Sequence, residues 1–212
     1  LLDMKESLIL ANKKDDLRNW IVTGIAEIGE VLRENDSIEG LGDEILKFSC
    51  EKIHAVQGAF YSRQEEIDCS LLTISSSYAY NRKKYLNKTF RFGEGLIGQA
   101  AIEQEIIYRT EIPEDYISVT SGILGDQKPS SILIVPLITN NTVFGVLEFC
   151  SLNKFTSGEL QFMQEVSEII ARTISNINNN ERTRKLLTES QRLSSELQLQ
   201  QEELRQNALS ME

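Results

Sequence analysis

The chain has 212 residues, 41% hydrophobic and 25% charged, enough to bury the core of one domain with extensions. Thirty-two acids against 22 bases give a formal charge of −10 with no basic block to offset it, which argues against a phosphate backbone, and so nucleic acid, as a direct partner. No run approaches the roughly 18 apolar residues of a membrane span, and no charged start leads into an apolar stretch, so neither a membrane span nor a signal peptide is expected.

Residues 1 to about 34 repeat Leu10, Leu17, Trp20, Ile21, Gly24, Ile25, Ile28, Val31 and Leu32 at three- and four-residue intervals, predicting a long helix with one apolar face. "NDS" from Asn35 breaks it. Ile38, Leu41, Ile45, Phe48, Ser49, Ile53 and Val56 then trace a second amphipathic helix. From Ala59 the period is two: 59–63 and 67–78 read as strands joined by "QEE", and 89–92 as a third. A short helix over 96–104 and a strand over 106–109 follow. "TEIPEDYISVTSGILGDQKPSS" is a turn-rich connection with one helical turn at 113–116, and "SILIVPL" and "FGVLEFCSL" form a hairpin through "TNN".

The next boundary is written locally. Thr156 is placed to cap a helix beginning at Ser157, Glu159 to return the bond, and Phe155 and Leu160 to bracket them as a hydrophobic staple. Phe162, Met163, Val166, Ile169, Ile170, Ile174 and Ile177 face a core. After "NINNN" the helix turns polar. There Leu186 and Leu193 fall at d and Leu197, Leu204 and Met211 at a, with Ser190, Gln200 and Asn207 between them, a weak coiled-coil seam. Residues 178–212 would extend about 50 Å. The order of elements predicts an α+β fold, an antiparallel sheet with helices packed on one face and long helices protruding at both ends. A start without Met and an end inside a helical pattern read as a piece of a longer chain.

Gly93, Gly95 and Gly98 in "FRFGEGLIGQA" spell G-x-G-x-x-G, a dinucleotide-binding pattern when it closes the first turn of a βαβ unit. Here it stands about 90 residues in, amid antiparallel strands, and Asp115, at the distance of the ribose-binding acid, lies in the turn "IPEDY". The glycines are expected to turn the chain from strand to helix and to let that helix pack closely.

"FGEGLIGQAA", "SILIVPL", "VFGVLEFCS" and "FTSGELQFMQEVSEIIARTI" together resemble a GAF domain over residues 20–178. The resemblance implies a short helix beside a ligand pocket, hairpin strands in the central sheet, and first and last helices packed behind it. "RNWIVTGIAEIGEVLREND" and "ERTRKLLTESQRLSSELQLQQEELRQN" resemble the signalling helices of bacterial hybrid sensor histidine kinases. Residues 1–19 are then an N-terminal signalling helix and 179–212 a C-terminal coiled-coil one. The resemblance implies a cytoplasmic sensory module of a two-component system, a homodimer through both end helices. It would bind a small molecule or sense packing and relay this to a kinase domain in the same chain.

Any pocket should lie between the sheet and the segment 93–130, where Tyr108, Arg109, Tyr116, Thr120 and Ser121 are polar handles that either contact a ligand or pack locally. Glu148 shares a strand face with Val146 and Cys150; it either holds a structural bond to a backbone or basic group, or recognises a cationic ligand. "LNKFTSGEL" partly resembles the motif of cyclic-nucleotide-binding GAF domains, but the helix cap already accounts for Phe155 and Glu159. No catalytic residue, metal site or cofactor is expected. His54 is the only histidine, and the three cysteines, Cys50, Cys69 and Cys150, lack a C-x-x-C pattern and fit reduced, packed thiols. Two alternatives remain: a redox enzyme like the free methionine sulfoxide reductases using Cys69 or Cys150, and a ligand-free dimerisation spacer.

Overall fold

The long apolar stripe at the start folds as α1 (Leu2–Arg33), and the second as α2 (Ile38–Lys52). The computed structural model describes residues 2–33, 38–65, 70–79, 88–112, 119–121 and 125–210. α2 stops short of the predicted Val56. His54 takes a left-handed φ of 54°, and the Ala55 N–H reaches back to the Cys50 carbonyl at 2.9 Å, a six-to-one bond that ends the helix. Glycine is usual at that position, and a side chain there costs about 1 kcal/mol. The periodicity continued to Val56 because Ile53 is buried just past the helix end.

Six strands form one antiparallel sheet in the order β3-β2-β1-β8-β7-β4. They are β1 (Gln57–Glu65), β2 (Ser70–Tyr78), β3 (Thr89–Arg91), β4 (Ile107–Arg109), β7 (Ser131–Thr139) and β8 (Thr142–Ser151). The β7–β8 hairpin turns on Asn140 and Asn141 with φ of 50° and 57°, the two left-handed residues a tight turn matched to strand twist requires. Pro136 sits in β7 beyond the stretch paired to β4, where its missing N–H breaks no bond to that edge strand. β5 (Val119–Ser121) and β6 (Gly125–Gln127) make a separate small hairpin inside the segment expected to be all connection. The helical turn expected at 113–116 lies outside the described residues.

Alternation divides the core in two. On one face Phe60 packs beside Gly42 of α2, whose Leu46 and Cys50 close over Gly58 next to Phe149, with Leu147 buried on the same side of the sheet. Phe162 of α4 (Ser157–Ser210) joins this layer, stacking on Trp20 of α1 and Phe48 of α2. On the other face Ala59, Tyr61, Leu72, Ile132, Ile134 and Val146 pack against Ile97, Ala100 and Ala101 of α3 (Gly95–Glu103). Helices therefore cover one face as predicted, and the short α3 covers the opposite one. Each fully buried leucine, isoleucine or phenylalanine contributes about 1.5–3 kcal/mol.

The cap of α4 is as the residues predict. Thr156 N–H and Oγ–H both donate to Glu159 Oε2, at 2.7 and 2.8 Å, and the Glu159 N–H donates to Thr156 Oγ1 at 3.3 Å. The chain divides into two units, residues 1–174 and 175–212. In the second, helical to Ser210, Leu186, Leu193 and Leu197 stand exposed, and Arg192 pairs with Glu189 at 2.8 Å and Glu196 at 3.6 Å along the helix. Among the described residues no helix is long and apolar enough to cross a membrane.

Candidate functional site

The glycine segment lies between β3, an edge strand antiparallel to β2, and α3. Gly93 and Gly95 take φ of 86° and 61°, a conformation glycine adopts without cost. Gly98 has no room for a side chain: a Cβ there would lie 2.1 Å from the Arg91 carbonyl oxygen. The loop spends its polar groups on itself. The Gly93 N–H donates to the Gly98 carbonyl at 2.8 Å, the Glu94 N–H to Arg91 O at 2.9 Å, and Glu94 Oε2 accepts the Arg91 N–H at 2.9 Å. A carboxylate turned into the turn opposes an anion there, so the segment is a strand-to-helix turn and not a phosphate cradle.

Beneath α3 the sheet carries one polar row in an apolar face. β1 and β8 pair Gln57 with Cys150, Ala59 with Glu148 and Tyr61 with Val146. Ala59 leaves space beside Glu148, and Tyr61, diagonal to it, donates its hydroxyl to Glu148 Oε2 at 2.9 Å. Glu148 is buried, with Ile134 on its other flank. A buried carboxylate is an acceptor only, so the donor that Tyr61 supplies offsets part of its desolvation. Gln57 donates to the Ala79 carbonyl at 3.0 Å and accepts from the Cys150 thiol at 3.7 Å. Further along β1, Arg63 lies over the Phe92 ring at 5.8 Å and donates to the Val143 carbonyl at 3.4 Å.

Burial, and then the Glu148 charge, push the Cys150 thiol up to about 12 against the opposing effect of Gln57. Burial likewise raises Cys50. Both thiols stay protonated near neutral pH and are poor nucleophiles. Cys69 lies outside the described residues. Among the described residues no three His, Cys, Asp or Glu side chains gather as a metal site.

Of the six candidate residues, Tyr108, Arg109 and Glu148 have described side chains, and Tyr108 stands apart from the other two. Ile107, Tyr108 and Arg109 of β4 pair with Ile134, Leu133 and Ile132, which puts Arg109, exposed, on the Glu148 face and Tyr108 on the other. Tyr108 packs edge-on against Phe155 at 6.3 Å and donates to the Phe155 carbonyl at 3.4 Å, so it serves the root of α4. Thr120 and Ser121 stand in β5 opposite Asp126 and Gly125, with nothing described of their side chains. Tyr116 lies outside the described residues. Reading the sequence by residue type missed Tyr61 and Gln57. Their signal was the alternation Gln57, Ala59, Tyr61, Arg63, which places them on one face with Glu148 once β1 pairs with β8.

A curled antiparallel sheet with a buried polar row under a short helix, backed by long first and last helices, defines an α+β fold of the GAF type. The chain belongs to the GAF domain family, whose model matches residues 35–175. No curated protein matches it. Among solved structures it is similar to the GAF domain of a phosphoenolpyruvate-protein phosphotransferase from Coxiella burnetii, at 18% identity and a TM-score of 0.64 over 76% of this chain and 96% of that one. It is also similar to the free methionine-R-sulfoxide reductase of Neisseria meningitidis solved with its substrate, at 16% identity and 0.58 over 74% and 89%. The GAF-B domain of DevS from Mycobacterium smegmatis matches at 16% and 0.53 over 67% and 96%. At these identities the likeness is one of fold.

Proposed function

We propose that the chain is a cytoplasmic regulatory GAF module of a two-component sensor histidine kinase. In this reading it binds a small molecule at the Glu148 face and relays occupancy through a helical homodimer to a kinase domain in the same chain. The observation that carries the relay is the meeting of α1 and α4 behind the sheet. Trp20 stacks on Phe162 with centroids 5.1 Å apart, and a side chain at Gly158 would meet Leu17 at 2.5 Å. The helix leading in and the helix leading out are thus packed on each other. The exposed leucines of residues 175–212 supply a seam for a second copy.

In this reading Glu148 and Tyr61 supply an acceptor and a hydroxyl at the floor of the binding face. Arg109, Tyr116, Thr120 and Ser121 are the further residues proposed to contact the ligand. Cysteine chemistry like that of the free methionine sulfoxide reductases is the weaker reading, because Cys50 and Cys150 are buried, protonated thiols. Native mass spectrometry of the purified chain tests the ligand. The expected spectrum contains a bound small molecule that Glu148→Gln loses; a bare chain from every preparation favours the ligand-free spacer.

A further inference from the structure

Away from the polar row, the end of β8 and the root of α4 meet at one residue. The Ser151 hydroxyl, on the last residue of β8, donates to the His54 carbonyl at 3.1 Å. The His54 Nδ1 faces Glu159 Oε1 at 3.0 Å, while Glu159 Oε2 holds both Thr156 groups of the α4 cap. A carboxylate oxygen accepts, so the proton in this contact belongs to His54 Nδ1. The imidazole side chain is 81% exposed and Glu159 only 11%, so the contact holds the carboxylate and does not bury the ring. The left-handed backbone of His54, closed by the Ala55-to-Cys50 bond, ties the position of its carbonyl to the direction of its side chain.

We propose that His54 is a coupling residue: a displacement at the end of β8 passes from Ser151 through the His54 backbone and imidazole to Glu159, and loosens or tightens the cap of α4. Glu148 lies three residues before Ser151 on the same strand, so the candidate binding face stands at the input of this link. The coupling rests on these contacts and not on the sensor reading, and its test needs no ligand.

A competing path exists through the chain itself. The Ser151 hydroxyl also accepts the Asn153 N–H at 3.2 Å, and the segment from Asn153 leads directly to Thr156. Amide exchange measured by NMR on the whole chain separates the two. His54→Asn keeps a residue tolerant of the left-handed conformation but too short to reach Glu159, and leaves the Asn153 bond in place. It is expected to speed exchange at the Thr156 and Glu159 amides roughly threefold to tenfold, the loss of one hydrogen bond. Ser151→Ala is expected to do the same in the wild-type background and to add nothing in the His54→Asn background. The amides of Val166 and Ile170, deeper in α4, report global opening. Full retention of the Ser151→Ala effect in the double variant, no effect of His54→Asn, or equal acceleration at Val166 and Ile170 would each overturn the coupling.

Discussion

Gly98→Ala is expected to lower the unfolding free energy by about 3 kcal/mol, the upper range for forcing atoms into a packed site. The added Cβ would meet the Arg91 carbonyl oxygen at 2.1 Å and the Gly93 nitrogen at 2.9 Å. Both are backbone atoms of the turn, so no side-chain rotation relieves the clash. The turn itself would have to open, breaking the Gly93-to-Gly98 bond and lifting α3 from the sheet face that holds Tyr61 and Glu148. The same change at Gly29 of α1, where a Cβ meets nothing within 4 Å, should instead stabilise, by up to about 1 kcal/mol from helix propensity. Urea denaturation of both variants checks the pair; equal and small effects would mean that α3 does not pack so closely.

Phe162→Ala should cost about 3–5 kcal/mol, as for other fully buried aromatics. Its ring is inaccessible to solvent and fills the space that Gly24 leaves in α1, where a Cβ would lie 2.6 Å from it. It touches Trp20 and Phe48, so its loss empties the junction of α1, α2 and α4 together. Trp20 is the only tryptophan, which gives a direct readout: its emission should shift to longer wavelength in the native state as water enters beside it. Lys52 would remain over the indole at 5.5 Å, paired to Glu27 at 2.8 Å, so the residual helix contact is polar. A loss below about 1 kcal/mol would mean that the helices hold together elsewhere.

What the sequence made legible is what neighbouring residues encode. The start of α4 was readable because Thr156 and Glu159 stand three apart, and the hairpin because two asparagines separate two apolar runs. The G-x-G-x-x-G run was readable as a turn because the strands around it alternate as an antiparallel sheet does. Relations across the chain were not readable. Tyr61 reaches Glu148 across 87 positions, which follows only once the register of β1 on β8 is known, and His54 reaches Glu159 across 105, which follows only once the last helix is seated beside the end of α2. Tyr108 shows the same limit at short range: strand alternation makes it a neighbour of Arg109 in sequence but sends it to the opposite face, a choice set by pairing with β7. The overrun of α2 came from Ile53, buried like a helical residue although the chain has already left the helix at Lys52.

The proposed relay requires that two copies associate through the end helices. Sedimentation equilibrium at high protein concentration tests this directly on the whole chain and on residues 20–178. The account predicts a dimer for the whole chain and a marked shift to monomer once both end segments are removed, because the exposed leucines Leu186, Leu193 and Leu197 go with them. A monomer for the whole chain, with truncation changing nothing, would contradict it.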